Sequence, residues 1–202
     1  QASGATVVRS EERFGGDSSV RLPIGNGRTV AVHGQIDRID RAANGDLLVV
    51  DHKTGSARDF ATITADDPTA GGTKFQLPAY AAGAIAIVGE QAPVRAEYSF
   101  FARERYNRIG YAVTDDVWRR VEADLDHVVS GVEAGFFPAL PEAPGFQFYI
   151  ACHYCQPDGL GTAERYPEWL RKHHDPRVER WFGDIEPDAP DEPAADTAEV
   201  PA

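Results

Sequence analysis

One strand constrains this chain more than any other feature. It runs apolar and then turns charged: Leu47-Leu48-Val49-Val50-Asp51-His52-Lys53. The pattern predicts a strand over residues 46–52, with Val49 and Val50 in the unbroken apolar style of a buried strand. Side chains alternate along a strand, so Asp51 and Lys53 point to one face and His52 to the other. An acid and a lysine side by side at the end of a buried strand are costly unless something uses them. An isolated Asp-x-Lys tripeptide would read as a solvated surface ion pair; its place in a hairpin argues otherwise.

The hairpin partner is a strand expected over residues 28–40, which carries Gly34-Gln35-Ile36-Asp37-Arg38-Ile39-Asp40. Asn44-Gly45 marks the turn between the two. A two-residue turn would set Asp37 opposite His52, on the wrong face. A three-residue loop of Ala43, Asn44 and Gly45, with Gly45 in the left-handed region, sets Asp37 opposite Asp51. The three-residue loop, or an equivalent bulge, is therefore expected. Two carboxylates roughly 5 Å apart at the backbone suit a hard divalent cation with oxygen ligands, and the His52 carbonyl is a further candidate ligand. Arg38 and Asp40 read as a local ion pair.

Elsewhere, residues 5–14 and 19–22 alternate like strands, and residues 56–72 form a polar, turn-rich loop with room for one short helix. A helix is expected from about 74–77 to Val88, ended by Gly89. Residues 94–102 and 109–113 read as a second hairpin with Asn107 near its turn. Thr114 is a fitting N-cap for a long helix, and Asp115 and Asp116 suit its positive end. Val117, Trp118, Val121, Leu125, Val128, Val129 and Val132 repeat at helical spacing and form its core face; Gly135 ends it. Residues 136–150 are rich in Pro and aromatics, and 162–182 hold a short charged helix. Strands, then helix, strands and helix again indicate a mixed α/β domain.

Composition narrows the class. The chain has 202 residues, two cysteines and no methionine, so a disulfide framework is excluded and a piece of a longer polypeptide is expected. Reduced, cytoplasmic conditions fit the cysteine usage. No apolar run approaches the ~18–20 residues of a membrane helix, and no signal peptide is expected. Seven of the net twelve negative charges lie in residues 183–202, an acidic Pro/Ala-rich stretch without Lys or Arg, which leaves −5 for residues 1–182. Residues 183–202 are expected to be a disordered tail behind a domain spanning 1–182. Contacts to DNA would have to come from local basic patches. Arg103, Arg105 and Arg108, with Tyr106 among them, are the best phosphate-contact candidates. The mixed charges of residues 164–180 read as a solvated helix face.

Three segments taken together resemble a known family: Gly34-x-x-Asp37-Arg38-Ile39-Asp40, then Val50-Asp51-His52-Lys53-Thr54-Gly55, then Phe75-Gln76-Leu77-Pro78-Ala79-Tyr80. Their order is similar to that of the RecB-like branch of the PD-(D/E)XK nuclease superfamily, helicase-associated nuclease domains. Gly135-Phe136-Phe137-Pro138-x-x-Pro141 and Cys152-x-x-Cys155 follow in the same order, so the resemblance covers about residues 5–175. It implies a restriction-endonuclease-like α/β core, a mixed central β-sheet flanked by helices. It implies that Asp37 and Asp51 bind Mg²⁺ or Mn²⁺ and that Lys53 orients or activates the attacking water. Gln76 and Tyr80 match the family's Q-x-x-x-Y helix motif, would flank the site, and lie on one helical face; plain helix packing is the alternative for them.

The chain departs from the family in two places. The family's metal site includes a histidine from a helix ahead of the first strand, and no residue here matches it. His33 shares strand parity with Asp37 but not that motif position, and reads as structural. Many relatives also hold an iron–sulfur cluster through one upstream Cys and a C-terminal C-x₂-C-x₅-C. Here the third C-terminal position is Gly161 and no upstream Cys exists, so a four-cysteine cluster cannot be built from this chain alone. Cys152 and Cys155 remain open between a relic that closes the fold, zinc with His173 or His174, and redox chemistry or a cluster completed elsewhere.

The resemblance implies metal-dependent hydrolysis of DNA phosphodiesters, exonuclease-type, in DNA repair beside a helicase motor in the same or a partner chain. The alternative is a catalytically incomplete DNA-binding or assembly module of a helicase–nuclease complex, favoured by the unmatched histidine and the acidic balance. A zinc-binding interaction domain on Cys152 and Cys155 is a third reading.

Overall fold

The structure is a computed structural model that describes residues 4–16, 20–89, 92–101, 107–137 and 165–182. The chain divides into two units, Gln1–Ala134 and Gly135–Ala202, and each is described by itself.

In the first unit, strands β1 (Thr6–Phe14), β2 (Val20–Ile24), β3 (Arg28–Val32), β4 (Gly34–Arg41) and β5 (Leu47–Lys53) come first. A 3₁₀ turn at Arg58–Phe60, helix α1 (Gln76–Val88), strands β6 (Val94–Phe100) and β7 (Asn107–Val113) and helix α2 (Asp115–Glu133) follow. The central sheet has the order β1-β4-β5-β6-β7, and β2 and β3 pair in a separate two-stranded sheet. Strands β5 and β6 are parallel and the other central pairs antiparallel. This is the expected mixed sheet with helices, consistent with a restriction-endonuclease-like core.

The expected single strand over 28–40 is two strands. It breaks at His33, because β3 pairs with β2 while β4 joins the central sheet. The exposed His33 sits at the break.

The β4–β5 loop has the three-residue form. Gly45 N–H donates to the Ala42 carbonyl and Ala42 N–H to the Asp46 carbonyl, both at 2.9 Å. Gly45 has φ +92°, the region where a side chain would be strained. Register runs from Arg41 opposite Leu47 to Arg38 opposite Val50, and the next step sets Asp37 against Asp51.

Ile39, Leu47, Val49, Leu77, Ala81, Ala84, Ala96 and Tyr98 are buried between this sheet and α1 or within one continuous core. Helix α1 lies close because its buried face is small. A Cβ at Gly83 would stand 2.6 Å from Phe14 Cγ. Gly89 ends the helix in the left-handed region, as the sequence predicts. Thr114 Oγ1 caps α2 by accepting from Val117 N–H at 3.3 Å. Val117, Val121 and Leu125 are buried, but Val128 and Val132, expected in the core face, are exposed at 37% and 54%. The last turns of α2 are covered through Val129 and the buried Gly131 instead, so Val128 and Val132 fall outside the covered line. Arg28 ties the β2–β3 hairpin to α2 through Asp126 and Glu133, each at 2.5 Å.

In the second unit, the expected single helix is two: α3 (Arg165–Lys172) and α4 (Pro176–Phe182). Asp175 caps α4 by accepting from Arg177 N–H at 2.9 Å, ahead of a proline in the first helical position. Residues 183–202 lie outside the described residues. No helix among the described residues is long and apolar enough to cross a membrane.

Candidate active site

The site forms where β5 leaves the core and the first turn of α1 reaches it. Asp51 is buried at 3% exposure, Lys53 and Asp37 are half-buried, and His52 is exposed on the other face. This follows from strand alternation on a sheet covered by a helix. Lys53 Nζ lies 2.6 Å from Asp51 Oδ2 and donates to Gln76 Oε1 at 3.0 Å. Gln76 Nε2 donates to Asp51 Oδ1 at 2.8 Å and to the Tyr80 hydroxyl at 2.9 Å. Asp37 Oδ2 accepts from the His52 amide at 2.7 Å. Lys53, Asp51, Gln76 and Tyr80 thus share one hydrogen-bonded chain, and Asp37 joins through the β5 backbone.

Aromatic packing sets the floor. Lys53 Nζ sits 5.2 Å from the Tyr98 ring centroid, within cation–π range. Phe14 meets Tyr80 edge to face at 5.9 Å. Gly34 leaves the space for both rings, since a Cβ there would stand 3.0 Å from Phe14 and 3.4 Å from Tyr80.

Burial pushes the Asp51 carboxyl above its ordinary pKa, and the charge of Asp37 adds to the rise; the hydrogen bond and charge of Lys53 oppose it. Desolvation wins over the lysine. Asp51 Oδ2 is fully enclosed, with the Lys53 ammonium against it at 2.6 Å. Burial also raises the Tyr80 hydroxyl, helped by the charges of Asp51, Asp37 and Glu11 and opposed by the bond from Gln76.

The donors here are the carboxylate oxygens of Asp37 and Asp51, which is the chemistry a hard dication accepts. Among the described residues, no group of three or more His, Cys, Asp or Glu side chains is gathered to hold a metal; Asp37 and Asp51 make a pair.

The remaining sequence candidates lie elsewhere. His52 stacks edge-on against Phe101 with centroids 5.2 Å apart. Arg38 Nε pairs with Asp40 Oδ1 at 2.7 Å, as expected. Arg108 Nη1 lies 2.6 Å from Glu97 Oε1. It pairs across from Ser99, so it stands on the sheet face opposite to Asp51 and Lys53. Arg103, Arg105, Cys152 and Cys155 lie outside the described residues. His173 and His174 are adjacent in the second unit, their rings 3.7 Å apart.

Sequence reasoning missed two acids. Glu97 is buried at 2% between Arg95 and Arg108; the alternation Arg95-x-Glu97 was its only signal. Glu11 lies in mid-strand with φ +52°, a left-handed conformation that costs a non-glycine residue on the order of 1–3 kcal/mol. Nothing in the local sequence announces it.

Residues 1–158 match the PD-(D/E)XK nuclease superfamily. A stretch of 87 residues, 42% of the chain, is 39% identical to an ATP-dependent helicase/deoxyribonuclease polypeptide of Streptococcus pneumoniae (strain Hungary19A-6). The same values relate it to the exonuclease/helicase protein RexB of S. pneumoniae serotype 4. The chain spans 7% of the length of these relatives. One solved structure, the crystal structure of SSO0001, is similar at 14% identity and a TM-score of 0.33, over 60% of this chain and 50% of that one. With more than half its length matched and with the Asp-x-Lys strand, the facing Asp37 and the Gln76–Tyr80 helix in place, the chain belongs to the PD-(D/E)XK nuclease superfamily, in its RecB-like branch.

Proposed function

We propose that this chain is the nuclease part of a helicase–nuclease machine and hydrolyses DNA phosphodiesters with Mg²⁺ or Mn²⁺. The observation that carries the reading is the hydrogen-bonded chain Lys53–Gln76–Asp51 with Asp37 on the same sheet face. Asp37 and Asp51 would hold the cation, with the His52 carbonyl as a further ligand. When bound, a cation supplies Lewis-acid chemistry: it eases deprotonation of water and neutralises phosphate charge.

The protein groups do the rest. Lys53, fixed by Asp51 and Gln76, holds the attacking water and offers its ammonium to the scissile phosphate. Gln76 orients both members of the ion pair, and Tyr80 closes the side of the site toward β4. Arg103 and Arg105 would bind phosphates along the substrate path, whereas Arg108, held by Glu97 on the opposite sheet face, has no such role. The names of the relatives support the helicase partner and the DNA substrate; exonuclease action, a DNA-repair role and a cytoplasmic setting belong to the same reading.

The test is cleavage of labelled single- and double-stranded DNA in Mg²⁺, Mn²⁺ or EDTA. Activity that survives Asp51→Ala and Lys53→Ala removes these residues from the mechanism. One observation favours a second reading, an assembly or DNA-holding module: the metal-ligand set among the described residues stops at two carboxylates. That reading gains if the chain neither cleaves DNA nor binds Mn²⁺.

A further inference from the structure

The loop that runs from β5 into α1 carries a cation that the proposed mechanism leaves without a task. Lys74 lies two residues ahead of Gln76 and is half-buried. Its ammonium sits 4.9 Å from the centroid of the Phe60 ring. Phe60 meets Tyr98 edge to face at 4.7 Å, and Tyr98 carries the Lys53 ammonium at 5.2 Å. Three successive contacts thus join the two ammonium groups along one aromatic floor. The span is a few nucleotides of strand, at about 3.4 Å each.

The two lysines differ in their partners. Lys53 is paired with Asp51, and Lys172, the third lysine of the chain, with Glu168. Among the described residues, Lys74 makes no ion pair. A ring face attracts an ammonium without neutralising it, and the N–H donors stay available for an anion. The position is also one where a cation is disfavoured. Helix α1 starts just behind Lys74, its N-cap Phe75 supplies no side-chain hydrogen bond, and its first turn holds no acid. A positive charge beside the positive end of a helix is repelled, and an arriving anion relieves that repulsion.

The backbone fixes Lys74 before any substrate arrives. Its N–H donates to the Thr69 carbonyl at 2.7 Å. Thr69 is fully buried, and its hydroxyl donates to Asp124 of α2. The adjoining Pro68 carbonyl accepts from the Tyr111 hydroxyl of β7 at 2.9 Å. Anchoring of this kind lowers the ordering cost of binding. We propose that Lys74 binds a non-scissile phosphate of the DNA strand, a few nucleotides along from the one that Lys53 meets. The inference rests on the nuclease reading given above and deepens it: the strand must continue past the cleavage point toward Phe60.

The experiment follows binding of a labelled single-stranded oligonucleotide by fluorescence anisotropy in EDTA over a series of NaCl concentrations. Cleavage in Mg²⁺ is measured beside it as KM and kcat, and melting temperature is recorded. The whole chain, Lys74→Gln and Lys74→Arg are compared. Lys74→Gln should bind roughly tenfold more weakly, the scale of one hydrogen bond to a charged group. Its log–log salt slope should shrink by about 0.7, one phosphate on a single strand, and KM should suffer more than kcat. Lys74→Arg should restore affinity and slope. Unchanged affinity and slope in Lys74→Gln, with DNA cleaved by the parent, overturn the assignment and leave the nuclease reading standing. Weaker binding with an unchanged slope, or only in step with a lower melting temperature, marks a structural residue and also overturns it. A parent that neither binds nor cleaves DNA overturns the nuclease reading and the assignment with it.

Discussion

Lys53 should stabilise the fold apart from the role proposed for it in the reaction. In Lys53→Met the side chain keeps its length and loses its charge, leaving Asp51 enclosed with a hydrogen bond from Gln76 to Oδ1 and nothing charged beside Oδ2. Removing one partner of a buried ion pair costs about 3–5 kcal/mol. The Lys53 side chain is 26% exposed and that of Asp51 4%, so water already weakens the pair on the lysine side. The expected loss falls at or below the lower end, ~2–3 kcal/mol, and the melting temperature should drop by roughly 5–10 °C.

Urea denaturation at pH 7.5 in EDTA reads this directly. The sign with pH follows from the raised pKa of Asp51. A carboxyl raised in the fold opposes folding when ionised, so stability is regained as pH falls through its folded value toward the ordinary one. Lys53 is an influence that lowers that value, so its removal should widen the window. Adding Mg²⁺ should recover part of the loss, and Lys53→Met combined with Asp51→Asn should recover most of it. If Lys53→Met unfolds at the same urea concentration as the parent in EDTA, Asp51 does not depend on Lys53 for its charge balance and the reasoning fails.

Other changes test other parts of the fold. Gly110→Ala places a Cβ 2.2 Å from the Ala96 carbonyl oxygen and 2.4 Å from Glu97 Cα; since backbone cannot yield as a side chain does, a loss above ~3 kcal/mol is expected in urea denaturation. Gln76→Leu keeps the helix and removes the link between Lys53, Asp51 and Tyr80; DNA cleavage should fall at least about tenfold with the circular dichroism spectrum unchanged. Thr114→Ala removes the α2 cap and should cost about 1 kcal/mol. The Arg177 side chain holds the Asp175 carboxyl down to about 2, so the capped α4 should keep its amide shifts above the ordinary carboxylate range and lose them only as pH falls through about 2; an NMR titration giving an ordinary Asp value contradicts this.

What the sequence disclosed was local. The register of Asp37 and Asp51 was legible because hairpin geometry leaves two options and only one puts both acids on a single face. The ends of α1 and α2 were legible because Gly89 and Thr114 act on their own turns. The break at His33 was not, because whether β3 and β4 form one strand depends on which distant strand each pairs with. Glu97 was hidden because a charged residue in an alternating strand normally points to water; here Arg95 and Arg108 neutralise it from the same and the neighbouring strand. The exposure of Val128 and Val132 was unreadable for a related reason: the apolar stripe is broader than the line of α2 that its neighbours cover, and the last turns are covered through Val129 and Gly131.

The carboxamide of Gln76 has two unlike ends, and its surroundings allow one orientation. Rotated by half a turn, it would set an NH₂ against the Lys53 ammonium and a carbonyl against the Asp51 carboxylate. A glutamate in its place would be all acceptor and would repel Asp51. The amide therefore gives the site a direction, with hydrogens running from Lys53 through residue 76 to Asp51 and to the oxygen of Tyr80. The phenol oxygen of Tyr80 is thereby an acceptor toward Gln76, which leaves its own hydrogen free to be donated to another group.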